Sequence, residues 1–166
     1  FKDRENPTLG VVNNKLFVIG GVETVGAQSD TWSTTDGINW IQMNYFPINI
    51  SNGKILRFTD DYYFIGGTKW NSSGTGGSST KEIRRYNIAN DSWDLISNTF
   101  PIVSSGFTEI DAVVANGKIW ASDQASVSPY TNNLWSSVDG GITWILETTN
   151  LPWSPRHAYK MVVQYY

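Results

Sequence analysis

The chain repeats itself, and this repeat constrains the fold more than any other feature of the sequence. An apolar phrase that ends in Gly-Gly, residues 15–21 (KLFVIGG), returns at residues 61–67 (DYYFIGG). A weaker copy without the glycines stands at residues 118–123 (KIWASD). Self-similarity at a period of about 50 residues indicates one supersecondary unit stacked several times, because a single unit of that size cannot bury its own apolar face.

A second phrase closes each unit on a tryptophan, at Trp40, Trp93 and Trp144. Turn-forming pairs such as Asn13-Asn14 divide each unit into four apolar stretches of about four to six residues, the usual length of a strand. No segment sustains the apolar spacing of an amphipathic helix. The three tryptophans are predicted to be core residues.

These features predict an all-β chain made of β-propeller blades, each with four antiparallel strands. Aromatic residues make up 14% of the 166 residues, which suits short strands joined by tight turns. Three blades are expected, with one further strand that opens another blade. Their predicted spans are about 8–44, 53–97 and 107–148, and the extra strand spans 157–166.

The apolar run that ends in Gly-Gly, followed by Tyr86 and Trp93, resembles the kelch repeat of propellers such as the central domain of galactose oxidase. Residues 155–163 resemble the opening strand of another kelch unit. Where the family has Tyr, the first and third units have Trp32 and Trp135. The resemblance covers nearly the whole chain and implies a β-propeller.

A second resemblance lies inside the third unit. Residues 137–144 match Ser-x-Asp-x-Gly-x-Thr-Trp, the Asp-box hairpin of sialidase-like propellers, and residues 34–40 are a version one residue shorter. The resemblance implies that Asp36 and Asp139 accept backbone N–H groups in turns. In sialidases this hairpin lies away from the catalytic centre, so it bears on fold and not on activity.

Three blades are fewer than the four to eight of closed propellers. Three arrangements are open: part of a longer protein, two copies paired into a six-bladed ring, or an open stack of three blades. Blade faces left uncovered favour self-association.

No catalytic residue, metal site or cofactor is predicted. The chain has no cysteine and one histidine, His157, which the resemblance places where a kelch unit begins a strand. The Cys and His ligands of a galactose-oxidase copper site are therefore missing. Asp60-Asp61 are interpreted as turn residues aligned with Asn13-Asn14.

Binding is the favoured function. Propellers bind ligands through the loops at one end, and the longer loops within blades are expected at 22–29, 68–80 and 124–132. Three aromatic residues in loops, which can stack on sugar rings or anchor a protein, are the predicted ligand-binding residues: Trp70, Tyr130 and Trp153.

The expected partner is a glycan or a protein, at the cell surface or outside the cell. The net charge of −3 with no basic run argues against nucleic acid, and no apolar run is long enough to span a membrane. The alternative is a fragment of a sialidase-like or sugar-epimerase-type enzyme, in which Arg57, Arg84 or Arg156 would be needed for turnover.

Overall fold

The computed structural model describes residues 2–101, 108–125, 131–155 and 160–163. This part of the chain is all-β, with antiparallel strands and no helix. The prediction of an all-β chain is confirmed. None of the described segments forms a helix long and apolar enough to cross a membrane.

Three four-stranded sheets follow one another along the chain, and in each the strands lie side by side in the order in which the chain enters the sheet. Sheet I contains β1 (Thr8–Val12), β2 (Lys15–Glu23), β3 (Gly26–Thr34) and β4 (Ile41–Gln42). Sheet II contains β6 (Lys54–Phe58), β7 (Asp61–Ile65), β10 (Ile83–Asn87) and β11 (Ser92–Ser97). Sheet III contains β12 (Thr108–Ala115), β13 (Lys118–Ala125), β14 (Leu134–Ser137) and β15 (Ile145–Thr148).

A fourth, smaller sheet was not predicted. It contains β5 (Ile50–Ser51), β8 (Thr68–Trp70) and β9 (Gly77–Ser79). The expectation that residues 68–80 form a flexible loop is wrong, because only the glycine-rich centre of this segment turns and its two ends pair as strands.

The other two predicted loops within blades are also shorter than expected. Residues 22–29 form a tight hairpin, because β2 continues to Glu23 and β3 already starts at Gly26. β13 continues to Ala125, inside the segment 124–132. Residues 126–130 lie outside the described residues.

The first hairpin of each sheet turns on residues in the left-handed region. Asn13 and Asn14 have φ values of 47° and 59°, and Asn116 has 51°. In sheet II the turn is Thr59-Asp60, and Asp61 already pairs with Phe58 as the first residue of β7. The alignment of Asp60-Asp61 with Asn13-Asn14 is therefore wrong by one residue.

The sheets pack face to face, and each contact buries an apolar core. Between sheets I and II the largest buried side chains are aromatic, with Phe46 and Phe64 at a centroid distance of 4.5 Å. Between sheets II and III the core is aliphatic, with Ile65, Ile83 and Ile119 fully buried. The first strand of sheet II, β6, lies beside the first strands of both neighbours, β1 and β12.

The three unit-closing tryptophans are buried to different degrees. Trp93 lies in the core between sheets I and II, as predicted. Trp144 is partly buried and packs edge-on against Phe100, at a centroid distance of 5.0 Å. Trp40 is also only partly buried, so the core prediction holds fully for Trp93 alone.

The Gly-Gly pairs allow a close approach between one sheet and a following segment, which is β5 for sheet I and β12 for sheet II. Gly20 has φ 58°, and a Cβ atom there would lie 2.1 Å from the carbonyl oxygen of Ile50. Gly66 also has φ 58°, and its Cβ would lie 1.8 Å from Cδ1 of Ile110. Counted from the first hairpin, the third unit has Asp123-Gln124 at the position of the Gly-Gly pair, and β13 continues through both residues in regular register with β12.

The strand registers correct one part of the kelch comparison. Counted from the equivalent turns, Trp32 and Trp135 stand at the position of Arg84. The counterparts of Tyr86 are Thr34 and Ser137. The expectation that the two tryptophans replace the tyrosine is therefore wrong.

A hydroxyl and a carboxylate close the last hairpin of each four-stranded sheet. The hydroxyl–carboxylate pairs are Thr34–Asp36 at 3.0 Å, Tyr86–Asp91 at 2.7 Å and Ser137–Asp139 at 2.8 Å. The turn residues Asp36 and Asp139 also accept backbone N–H groups, from Asn39 at 2.8 Å and from Thr143 at 2.9 Å.

Alanine at Gly20 should destabilise the fold far more than alanine at Gly37. Both glycines have positive φ, which costs a non-glycine residue about 1–2 kcal/mol. Only Gly20 has backbone atoms in the way, since nothing lies within 4 Å of a Cβ at Gly37. Urea unfolding should give a loss of about 3 kcal/mol or more for Gly20→Ala and about 1 kcal/mol for Gly37→Ala. Equal losses would contradict the close approach.

Asp139→Asn should weaken the dependence of stability on acid pH. Burial raises the pKa of Asp139, but hydrogen bonds from Thr143 and Ser137 outweigh it and leave the pKa below its ordinary value. A depressed folded-state pKa stabilises the fold above about pH 4, and this contribution is lost as the pH falls through the folded-state pKa. Urea midpoints between pH 2 and pH 7 should fall less steeply in Asp139→Asn than in Asp60→Asn, a variant of an exposed turn residue.

Candidate functional site

The two ends of the sheets differ in their turns and connections. The antiparallel order puts the β1–β2 and β3–β4 turns of sheet I, and their counterparts, at one end. The β2–β3 hairpin, the small sheet and the connections between sheets gather at the other end, here named the loop end. Long connections on a rigid scaffold are where proteins usually bind ligands.

The predicted ligand-binding residues lie in this region as far as they are described. Trp70 belongs to β8, is half-buried, and donates its indole N–H to Ser51 at 2.9 Å. Trp153 lies in the connection after β15 and is 40% exposed. Tyr130 lies outside the described residues.

A cavity of about 650 Å³ adjoins Trp153 and is here named the rim cleft. The described residues that line it are Asn132 and residues 149–155. None of these residues carries a charge, and amide, hydroxyl, proline and indole groups alternate along the wall. A volume of this size and this mixture of surfaces suit a small polar ligand.

Asn132 holds the connection that forms the cleft. Its side-chain amide donates to the carbonyl oxygens of Leu151, at 3.0 Å, and Trp153, at 2.7 Å. The residue is only 6% exposed, and its Oδ1 is buried without a hydrogen-bond partner. Because unpaired buried polar atoms cost about 1–3 kcal/mol, Asn132 is an expensive residue at this position.

The same connection is anchored differently in the other two sheets. Phe46 donates its backbone N–H to the carbonyl of Ser29 at 2.7 Å, and Phe100 does so to Lys81 at 3.2 Å. Both phenylalanines are buried and precede a proline, and Leu151-Pro152 is the third copy of this pair. The repeated apolar-Pro pair is a sequence signal that the repeat analysis missed.

Trp153 occupies the position in sheet III that Ile48 occupies in sheet I. It follows Leu151-Pro152 as Ile48 follows Phe46-Pro47, and Ile48 packs against the core between sheets I and II. Sheet III thus has an exposed tryptophan where sheet I has a packed isoleucine.

A second cavity, of about 330 Å³, lies where the first strands of the sheets begin. Its wall includes Asn6, Asn52, Lys54, Asp111 and Lys160. The Lys54 ammonium lies 2.7 Å from Oδ1 of Asp111, whose side chain is 1% exposed.

Three polar residues at equivalent positions, Thr8, Lys54 and Asp111, tie each sheet to the next at this end. Thr8 accepts the backbone N–H of Gly53 at 2.9 Å, and Lys54 donates to Asp111. Asp111 in turn accepts the backbone N–H of Met161. The sequence did not reveal this set, because the three residue types differ and only their distance from the first turn is shared.

Arg4 fixes the segment before β1 with a buried ion-pair cluster. It donates to Asp30 at 2.6 Å and to Glu23 at 3.0 Å. Burial raises the pKa of Asp30, but hydrogen bonds from Arg4 and Trp32 outweigh this and hold the pKa below its ordinary value. The cluster stiffens the β2–β3 hairpin at the loop end.

The small sheet is also locked to that hairpin. The backbone N–H of Ala27 donates to the carbonyl of Gly74 at 3.0 Å, and a Cβ at Gly26 would lie 3.0 Å from the backbone of Ser73. The loop end therefore has rigid walls built from paired strands.

The arginines of the enzyme alternative do not converge in the part of the chain that the structure describes. Arg84 is buried and bonded to Glu82 at 2.6 Å, whereas Arg57 is exposed and faces Asp60 near the β6–β7 turn. Arg156 and His157 lie outside the described residues. Among the described residues, no three His, Cys, Asp or Glu side chains are grouped so that they could hold a metal.

Comparisons with known proteins bear on the fold alone. No protein-family model and no curated protein match the chain. The chain is similar to the solved structure of YjhT, with a TM-score of 0.65, 16% identity, and coverage of 93% of this chain and 54% of that chain. It thus spans about half the length of that structure.

Lys54→Met should destabilise the fold by about 2–3 kcal/mol, because it leaves the buried Asp111 carboxylate without its cation. Arg57→Met, three positions along the same strand, should change stability by about 0.5 kcal/mol or less, since its ion pair is solvent-exposed. Urea unfolding of the two variants measures the difference. Equal effects would show that the Lys54–Asp111 pair does not hold the sheets together.

Proposed function

We propose that this chain is part of a β-propeller that acts as a non-catalytic recognition module, binding a glycan or a protein at its loop end. The observation that carries the proposal is the rim cleft, where an exposed tryptophan stands on a connection anchored by Asn132. An aromatic ring held in place on a rigid wall loses little conformational entropy on binding.

Three features support the propeller part of the proposal. The sheets each have four antiparallel strands, they follow the chain in order, and their first strands lie side by side. Hydrogen bonds at equivalent positions join each sheet to the next, which is what a radial repeat requires. The kelch and Asp-box resemblances of the sequence agree with this arrangement.

The outer face of sheet I supports the expected association with further sheets or copies. Leu9 and Val11 are 57% and 59% exposed on this face. In sheet II the counterpart of Leu9 is Ile55, which is buried against sheet I. An apolar sheet face without cover favours self-association.

The binding part of the proposal draws on the aromatic residues Trp70 and Trp153 of the loop end. Tryptophan and tyrosine supply large contact areas with a polar group at one edge, which suits sugars and protein side chains alike. We place such a module at a cell surface or outside the cell, where glycans are presented.

A glycan array probed with the purified protein, together with a pull-down from native extract, tests the proposal. We expect retention of a defined glycan class or protein, and loss of that signal in a Trp70→Ala/Trp153→Ala double variant. Tyr45→Ala is the matched control, because Tyr45 is an exposed aromatic residue outside the rim cleft. Blank results in both experiments would refute a recognition function, and signals that persist in the double variant would refute its location.

A further inference from the structure

The first turn of sheet III is a candidate site for a chemical modification of the chain itself. The tetrapeptide Asn-Gly-Lys-Ile occurs twice in the sequence, at residues 52–55 and 116–119. We propose that Asn116, in the turn between β12 and β13, is converted through a cyclic imide to aspartate and isoaspartate, whereas the structure protects Asn52. The inference does not depend on the proposed recognition function.

The reaction takes place between two neighbouring residues. The backbone nitrogen of Gly117 attacks Cγ of Asn116, and the new N–C bond closes a five-membered imide. The side-chain nitrogen leaves as ammonia, together with the proton of the attacking amide. Water then opens the ring at one of its two carbonyls to give aspartate or isoaspartate, and nothing is oxidised or reduced. Glycine favours the first step, because it has no side chain to obstruct its nitrogen.

The environment of Asn116 and Gly117 leaves the reacting groups accessible. Both residues are exposed, and they form the two-residue turn between Ala115 and Lys118, with φ values of 51° and 70°. A Cβ at Gly117 would have nothing within 4 Å beyond its chain neighbours. Among the described residues, no hydrogen bond holds the side chain of Asn116 or the backbone N–H of Gly117. No such bond therefore has to break before the two groups react.

At Asn52 the same tetrapeptide is held in place. The backbone N–H of Asn52 donates to the carbonyl of Asn6 at 3.0 Å. The N–H of Gly53, whose nitrogen would attack, donates to Oγ1 of Thr8 at 2.9 Å. Gly53 is also closely packed, since a Cβ there would lie 2.1 Å from the ring of Phe64. Reaction at Asn52 therefore requires local opening, and its rate is reduced in proportion to the small population of the open state.

The two Asp-Gly pairs of the chain, which can form the same imide with loss of water, are fixed within their own hairpins. The carboxylate of Asp36 accepts the backbone N–H of Asn39 at 2.8 Å, and that of Asp139 accepts the backbone N–H of Thr143 at 2.9 Å. Among the four Asn-Gly and Asp-Gly pairs of the sequence, the pair at Asn116 is therefore expected to react first.

The test incubates the whole folded chain in mildly alkaline buffer and follows its proteolytic peptides by mass spectrometry, with isoaspartate and aspartate separated by chromatography. We expect the products to form at Asn116 at least about tenfold faster than at Asn52. In a denaturing concentration of urea the two sites should react at the same rate, because their tetrapeptides are identical. The urea sample thus separates the effect of the fold from the effect of the local sequence.

Asn116→Gln is the matched variant, because glutamine would have to close a larger and slower-forming ring. The early product should disappear in this variant, while the rate at Asn52 stays unchanged. The comparison of the two sites within the wild-type chain decides the matter even where the variant does not fold. Equal rates at the two sites in the folded chain, or a difference that persists in urea, would overturn the proposal.

Discussion

The structure depends on the burial of each sheet's faces against its neighbours. A four-stranded sheet has two faces and cannot cover either by itself, so its apolar side chains become a core only when another sheet lies on them. The contact must be close, and Gly20 and Gly66 allow it by leaving no Cβ where the next connection or strand passes. The sequence repeats as a consequence, because one face of every sheet must be complementary to the facing surface of the next sheet.

Polar groups then fix the direction in which the sheets follow one another. Thr8, Lys54 and Asp111 occupy one position of the repeat, yet they bond in three ways: a hydroxyl to a backbone N–H, an ammonium to a carboxylate, and a carboxylate to a backbone N–H. The position requires a group that reaches across to the next sheet, not a given residue type. Apolar packing alone is less specific, whereas a buried carboxylate tolerates few alternative partners.

Sequence reasoning found what depends on repetition and missed what depends on pairing between segments distant in sequence. The four strands of each unit and the turn at Asn13-Asn14 follow from local patterns, and the structure has them. The hairpin at 68–80 was taken for a loop because its glycines dominate the composition, while its pairing with β5 depends on a strand about 20 residues away. The Lys54–Asp111 bond joins residues of different type in different units, for which the sequence has no local signal.

The same contrast locates the candidate site. Residues that recur in every unit, such as the hydroxyl–carboxylate pair of the last hairpin, are accounted for by the fold. Asn132 and Trp153 depart from the repeat. Sheets I and II anchor the corresponding connection through a phenylalanine backbone, and sheet I has the partly buried Ile48 at the position of Trp153. Asn132 lies before β14 and anchors the connection that carries Trp153, so the two departures from the repeat lie side by side. In a repeat protein, departures from the common pattern are expected at functional or strained positions, and for that reason the rim cleft is where we propose that recognition takes place.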